Sequence, residues 1–145
     1  MNILFICHAN ICRSFMAEEL LRPLLPDDTV FSRGLYADAS YRVPAKVTDF
    51  LQKNGIAVPP HTSTQLTKED LEKADVIFFM EQAHLDKISD RYAQYLDKMW
   101  LLNDYAFGRE EDLEDPISLS GRAFEKSAER LKKAVTAAAE KLKAE

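Results

Sequence analysis

The sequence predicts an α/β fold, a four-stranded parallel sheet with helices on both faces. Three observations carry this. Strand-like and helix-like runs alternate along the chain, the order of parallel strands joined by crossover helices. Val76-Ile77-Phe78-Phe79-Met80 is a continuous apolar run, as a strand covered on both faces requires. Near the N terminus a short apolar run, Ile3-Leu4-Phe5-Ile6, ends in a cysteine and leads through a short loop into helix-forming sequence.

Taken in order, the first strand is expected over Asn2–Cys7. A helix over Arg13–Leu25 follows, carried by Met16-Ala17-Glu18-Glu19-Leu20-Leu21. A second strand is expected over Thr29–Ser32. The helix over Pro44–Asn54 stops at Gly55, a natural residue just past a helix end. Thr67-Lys68-Glu69-Asp70 resembles a capping box and opens a short helix over Lys68–Lys73. The third strand takes Asp75–Met80; a helix over Glu81–Tyr92 and a strand over Lys98–Leu102 follow. The last helix runs from Gly121 to Leu142. There Phe124, Ala128, Leu131, Val135, Ala138 and Leu142 recur at spacings of three and four, one apolar stripe expected to pack against the sheet. The charges opposite read as a solvated face. No repeat, low-complexity segment or linker interrupts this order. Residues 1–145 therefore read as one domain with a flavodoxin-like, three-layer architecture.

A hydrophobic share of 46% and a charged share of 30% are ordinary for a globular protein. The net charge of −5 argues against nucleic acid as a partner. The first apolar run is too short for a signal-peptide core or a membrane span, so no membrane is expected and the chain is placed in the cytoplasm. The two cysteines, Cys7 and Cys12, share one loop, which excludes a structural disulfide framework. His8, His61 and His84 are scattered, and no metal or other cofactor is expected.

The chemistry concentrates in Cys7-His8-Ala9-Asn10-Ile11-Cys12-Arg13-Ser14. A strand ending in a cysteine, a short loop and a helix beginning near an arginine form a device for holding a phosphate dianion beside a nucleophile. Loop amides over His8, Ala9, Asn10, Ile11, Cys12 and Ser14 can turn toward the oxyanion, and the helix N terminus adds partial positive charge. Arg13 can grip two phosphoryl oxygens in a fork. The same field favours a thiolate at Cys7, the form that attacks. Cysteine and arginine at this spacing are common by themselves, and most free cysteines are inert packing; the strand before and the helix after raise the signal.

This octapeptide resembles the signature of the low-molecular-weight protein tyrosine phosphatases, Cys-x-Gly-Asn-x-Cys-Arg-Ser-Pro. Met16-Ala17-Glu18, Ser32-Arg33-Gly34, Asn54-Gly55-Ile56, His61, Gln65 to Asp70, Asp75-Val76-Ile77 with Met80, and Asp115-Pro116 extend the resemblance in order along nearly the whole chain. The resemblance implies that Cys7 attacks phosphorus and forms a phosphocysteine. Arg13 would stabilise the equatorial oxygens. Ser14 would donate to the Cys7 thiolate, and Asn10 would hold the loop. Asp115 would protonate the leaving oxygen and then deprotonate the attacking water. Without the loop signature Asp115-Pro116 reads as an ordinary turn; Asp104 and Asp112 are weaker candidates for the role, with no motif behind them. Cys12 either fills space or captures an oxidised Cys7 as a disulfide. His61 reads as structural, hydrogen-bonded near the loop, and His84 as a helix-surface residue.

Four departures bear on specificity. Ala9 stands where the family has Gly, which restricts the backbone there. Phe15 replaces Pro. His8 replaces a residue that is often apolar. Ile117-Ser118-Leu119-Ser120 lacks the aromatic residues that wall the pocket in tyrosine-specific members, and the loop 35–43 offers only Tyr36 and Tyr41.

The expected substrate is phosphotyrosine in proteins, with little selectivity for peptide sequence. Alternatives are a phosphoarginine phosphatase of the same family, whose members usually carry Thr at the place of Ile11, and a catalytically weak phosphate-binding module. A thioredoxin-coupled arsenate reductase on this scaffold needs further cysteines, and none follows Cys12.

Overall fold

The computed structural model describes residues 1–145. Four strands, β1 (Asn2–Cys7), β2 (Thr29–Gly34), β3 (Val76–Phe79) and β4 (Met99–Leu101), lie in the order β2-β1-β3-β4. All three pairings are parallel. β1 pairs with β2 from Asn2↔Thr29 to Cys7↔Gly34 and with β3 from Ile3↔Val76 to Ile6↔Phe79. The chain leaves β1 toward one edge and returns to build the other. The carboxyl end of β1, where Cys7 stands, is therefore the crevice in which open α/β sheets take their ligands.

Six helices cover the sheet: α1 (Arg13–Leu21), α2 (Ala45–Lys53), α3 (Lys68–Lys73), α4 (Gln82–Arg91), α5 (Leu102–Phe107) and α6 (Gly121–Ala144). The side chains of β1 alternate between two cores. Ile3, Phe5 and Cys7 join a large cluster with α1, α2, α5 and α6, while Leu4 and Ile6 join a smaller one with Leu71 of α3 and Ile88 of α4. Both faces are thus dry, which is why β1 and β3 read as unbroken apolar runs.

The structure departs from the expected elements in three places. The first helix is α-helical only to Leu21 and tightens into a 3₁₀ turn over Arg22–Leu24. Pro23 has no N–H to give and crowds the preceding turn. The fourth strand ends at Leu101, and its last expected residue, Leu102, instead opens α5, whose buried face is Leu102, Asn103, Tyr105 and Ala106. Gly108 closes α5 in the left-handed region at φ 68°. The α6 stripe is buried as expected, but it packs chiefly against α1 and α5 rather than against the strands. The capping box is present: Thr67 Oγ1 accepts from Asp70 N at 3.2 Å and Asp70 Oδ2 accepts from Thr67 N at 3.0 Å.

Candidate active site

Residues 8–12 leave β1 at Cys7 and turn into α1. The left-handed backbone needed for this turn falls on Asn10, at φ 60°, not on Ala9. Asn adopts that region more readily than most residues, so Ala replaces the family's Gly at position 9 without a positive φ. The glycine that the loop does require is Gly34 on β2. A Cβ there would stand 3.0 Å from backbone atoms of His8, Ala9 and Asn10.

Asn10 is fully buried, and its side chain organises the loop. Its Oδ1 accepts from Thr64 N at 3.0 Å, which fixes the amide so that Nδ2 donates to Ser14 Oγ at 3.0 Å and Ser32 Oγ at 2.8 Å. Ser32 in turn donates to Glu18. From outside, His61 Nε2 donates to the Asn10 carbonyl at 2.6 Å and Ser63 Oγ to the Ala9 carbonyl at 2.6 Å. The Phe15 ring stacks on His61, 4.1 Å between centroids. The His61 pKa is held below its ordinary value, chiefly by burial. His61 is hydrogen-bonded to the loop, as expected, and the Phe15 ring packs against it.

Ser14, also buried, lies behind Cys7. Its Oγ is 2.9 Å from Cys7 Sγ, and its backbone N–H points to the same sulfur at 3.4 Å. Arg13, only 2% exposed, donates from Nη1 to the Leu113 carbonyl at 2.7 Å and from Nη2 to Glu81 Oε2 at 3.0 Å. Asp115 Oδ2 lies 3.6 Å from the same Nη2. Asp115 Oδ1 caps the 3₁₀ turn Pro116–Ser118 by accepting from Ile117 N at 3.1 Å. The turn and the carboxylate at the site are therefore one feature. Lys46 of α2 pins the turn, donating to the carbonyls of Pro116, Ile117 and Leu119 at 3.2, 2.5 and 2.5 Å.

Cys7, His8, Ala9, Ile11, Cys12, Arg13, Asp115 and Ile117 line one cavity of about 130 Å³. The structure thus brings Cys7, Arg13 and Asp115 together, while the side chains of Asn10 and Ser14 support the loop from behind. Burial, with the neighbouring Cys7 charge second, pushes the Cys12 thiol up to about 12. Asp112 accepts from Gln82 N at 2.8 Å, and neither it nor Asp104 reaches the cavity.

At the rim, the His8 ring sits 4.8 Å from that of Tyr36 and 6.1 Å from that of His84. His84 is turned inward, 3.5 Å from the Glu81 carboxylate, and is not the surface residue that the sequence indicated. Burial lowers its pKa against the opposing pull of Glu81. Of the two candidate aromatic walls, Tyr36 reaches the site and Tyr41 does not line it. Sequence reasoning missed Lys46, Ser63, Thr64 and Glu81, whose partners lie far away in the chain. A larger cleft of about 560 Å³ between α5, residues 109–114 and α6 contains none of Cys7, Arg13 and Asp115.

Set beside known proteins, residues 2–145 match the family model described as low molecular weight phosphotyrosine protein phosphatase. The protein-arginine-phosphatase of Bacillus subtilis (strain 168) is 30% identical over 147 residues, covering 99% of this chain and 97% of the relative. The low molecular weight protein-tyrosine-phosphatase PtpB of Staphylococcus epidermidis is 32% identical over 127 residues, 88% of each chain. Among solved structures, a cysteine-to-serine variant of the YwlE arginine phosphatase, with a phosphorylated active-site serine, superposes with a TM-score of 0.91 at 29% identity. The match covers 99% of this chain and 96% of that one.

Proposed function

The chain belongs to the low molecular weight phosphotyrosine protein phosphatase family, and we propose that it hydrolyses phosphotyrosine in proteins through a phosphocysteine intermediate. The observation that carries this reading is the single cavity holding the Cys7 sulfur, the Arg13 guanidinium and the Asp115 carboxylate.

The phosphate dianion enters against the loop amides, and Arg13 turns its free N–H groups to the equatorial oxygens. Glu81 and the Leu113 carbonyl hold the rest of the guanidinium, so little reorganisation is needed as charge develops. The Cys7 thiolate attacks phosphorus in line; the S–P bond forms as the P–O bond to the tyrosine breaks. Asp115 gives its proton to the departing phenolate oxygen. In the second step Asp115 takes a proton from water, the water oxygen attacks phosphorus, and the S–P bond breaks. Phosphate leaves and the Cys7 thiolate returns.

Phosphotyrosine fits because Ala9, Ile11 and Ile117 give the cavity apolar walls for a phenyl ring. A second reading, phosphoarginine in proteins, is favoured by the likeness to the Bacillus subtilis protein-arginine-phosphatase and the YwlE structure. Hydrolysis of a chromogenic aryl phosphate tests the phosphatase itself: turnover lost in Cys7→Ser supports it, and absence of turnover in the wild type defeats it.

A further inference from the structure

A second cavity of about 200 Å³ adjoins the rim of the first. It is lined by Leu35, Tyr36 and Leu66 on one side and by Lys87, Ile88 and Arg91 of α4 on the other. Tyr36 of this cavity links it to the first: its ring meets His8, which lines the catalytic cavity, at 4.8 Å, and its N–H donates to the His8 carbonyl at 2.8 Å. Resting on the phosphatase reading, we propose that this groove is a substrate subsite for an acidic side chain flanking the phosphorylated residue.

The floor has little polarity left to offer. Leu66 N donates to the Gly34 carbonyl at 2.9 Å, and Gln65 is occupied by the Leu35 carbonyl at 2.8 Å and Ala37 N at 3.0 Å. The cations are different. Lys87 and Arg91 stand one turn apart on the same face of α4. Lys87 Nζ lies 4.4 Å over the Tyr36 ring and donates to its hydroxyl, and the Arg91 guanidinium lies 5.3 Å from the Tyr92 ring centre. Their partners are aromatic rings and a phenol, not carboxylates. Of the two carboxylates on the same helix, Asp86 accepts from Gln82 at 2.9 Å and Asp90 forms no ion pair with either cation, while Glu81, the residue before the helix, serves Arg13. In a chain of net charge −5, two such cations beside an active site form a local positive patch.

The aliphatic stem of a Glu or Asp fits against Leu35, Leu66 and Ile88, and its carboxylate reaches the two cations. An extended peptide advances about 3.3 Å per residue, so with Tyr36 against His8 the acidic side chain belongs within about two residues of the phosphorylated one. This departs from the low peptide selectivity read from the sequence, which had no means of bringing α4 to the rim.

The test is kcat/KM on two matched phosphotyrosine peptides, one flanked by Glu and one by Lys, and on the same pair carrying phosphoarginine. Wild type should favour the Glu-flanked peptide about tenfold or more on whichever phosphoresidue is turned over, mostly through KM. The Lys87→Glu/Arg91→Glu double variant should bring that ratio to one or below. Equal turnover of both peptides by wild type, or a ratio unmoved by the double variant, overturns the subsite and leaves the phosphatase reading standing. Turnover of none of the four peptides removes both.

Discussion

The Ser14 hydroxyl lies 2.9 Å from Cys7 Sγ and receives the Asn10 side-chain amide at 3.0 Å. An amide nitrogen can only donate, so the serine's own proton is directed at the sulfur. The chain Asn10→Ser14→Cys7 thus carries a fixed polarity, and it begins at Thr64 N, which fixes the orientation of the Asn10 amide. A donor at the sulfur suits the anion that attacks and that leaves again in the second step.

Ser14→Ala removes that donor and one acceptor of the Asn10 amide, which keeps its bonds to Ser32 Oγ and Thr64 N. A hydrogen bond to a charged group contributes roughly 1.5–3 kcal/mol, so kcat on an aryl phosphate should fall about 10- to 100-fold. Steady-state kinetics with a circular dichroism check of folding measures it. A kcat within twofold of wild type would show that the 2.9 Å contact plays no part in turnover.

Cys7→Ser should abolish turnover while phosphate still binds, because the loop amides and Arg13 remain. Asp115→Asn should slow the first step strongly for aryl phosphates with poor leaving groups and weakly for activated phenols, which depart without a proton. The dependence of kcat/KM on phenol pKa reads this directly. A slope identical to wild type assigns the acid elsewhere.

Cys12 is held protonated by burial, its pKa pushed up to about 12. Mild peroxide should therefore oxidise Cys7 first, to the sulfenic acid. Cys12 then displaces water from it to close a disulfide. The attacking thiolate fraction of Cys12 grows tenfold per pH unit below its pKa, so closure should accelerate with pH between 7 and 9. Mass spectrometry should show a peptide lighter by two hydrogens that holds both residues. Sulfinic or sulfonic acid on Cys7 with Cys12 untouched contradicts this order.

What the sequence disclosed follows the range of the interactions involved. β1, β3 and the loop between Cys7 and Ser14 were legible because each is decided locally, by an apolar run or by adjacent residues. The start of α5 was hidden because Met99-Trp100-Leu101-Leu102 is one apolar run, with no capping residue to mark where strand becomes helix. The end of the first helix was set locally by Pro23, yet the expected helix overran it to Leu25 because the apolar run continues through Leu24-Leu25. The supports of the site were illegible for another reason: Ser63, Thr64 and Lys46 act on backbone carbonyls or side chains 54 to 73 residues away, and Gly34 matters only for what approaches it. Tyr36 and Tyr41 looked equivalent until the fold brought α4 and Lys87 to one of them.

His61 and His84 both have pKa values lowered from 6.5, each chiefly by burial. A base whose folded pKa is depressed contributes stability that is present above the unfolded value. That contribution is lost as pH falls from about 6.5 toward the folded value. Glu18, raised from 4.5 by burial, works in the opposite direction as its carboxylate protonates. The thermal midpoint of wild type should therefore drop between pH 7.5 and 5.5, and a His61→Asn/His84→Asn variant should lose less over the same interval. Parallel curves for the two proteins would exclude the histidines as the cause.

Ile11 is the residue on which the choice between phosphotyrosine and phosphoarginine should turn. It lines the catalytic cavity with Ala9 and Ile117, and an apolar side chain there gives a phenyl ring contact but offers nothing to a guanidinium. Tyr36 stands against His8 on one side, whereas the segment after Asp115 has no aromatic residue to close the other. Ring stacking of roughly 0.5–1.5 kcal/mol on that side is absent, so KM for phosphotyrosine should be weak. Phosphoserine, on a shorter stem, should be turned over more slowly still, because its phosphorus reaches Cys7 less readily. Ile11→Thr puts a hydroxyl where a guanidinium can meet it and removes part of the apolar wall. The ratio of kcat/KM on phosphoarginine to that on phosphotyrosine peptides should rise about tenfold in this variant, with Cys7 and Asp115 chemistry intact on an aryl phosphate. A wild type that already prefers phosphoarginine would assign the chain to the arginine branch of the family despite Ile11, and the apolar wall would then not be what selects the substrate.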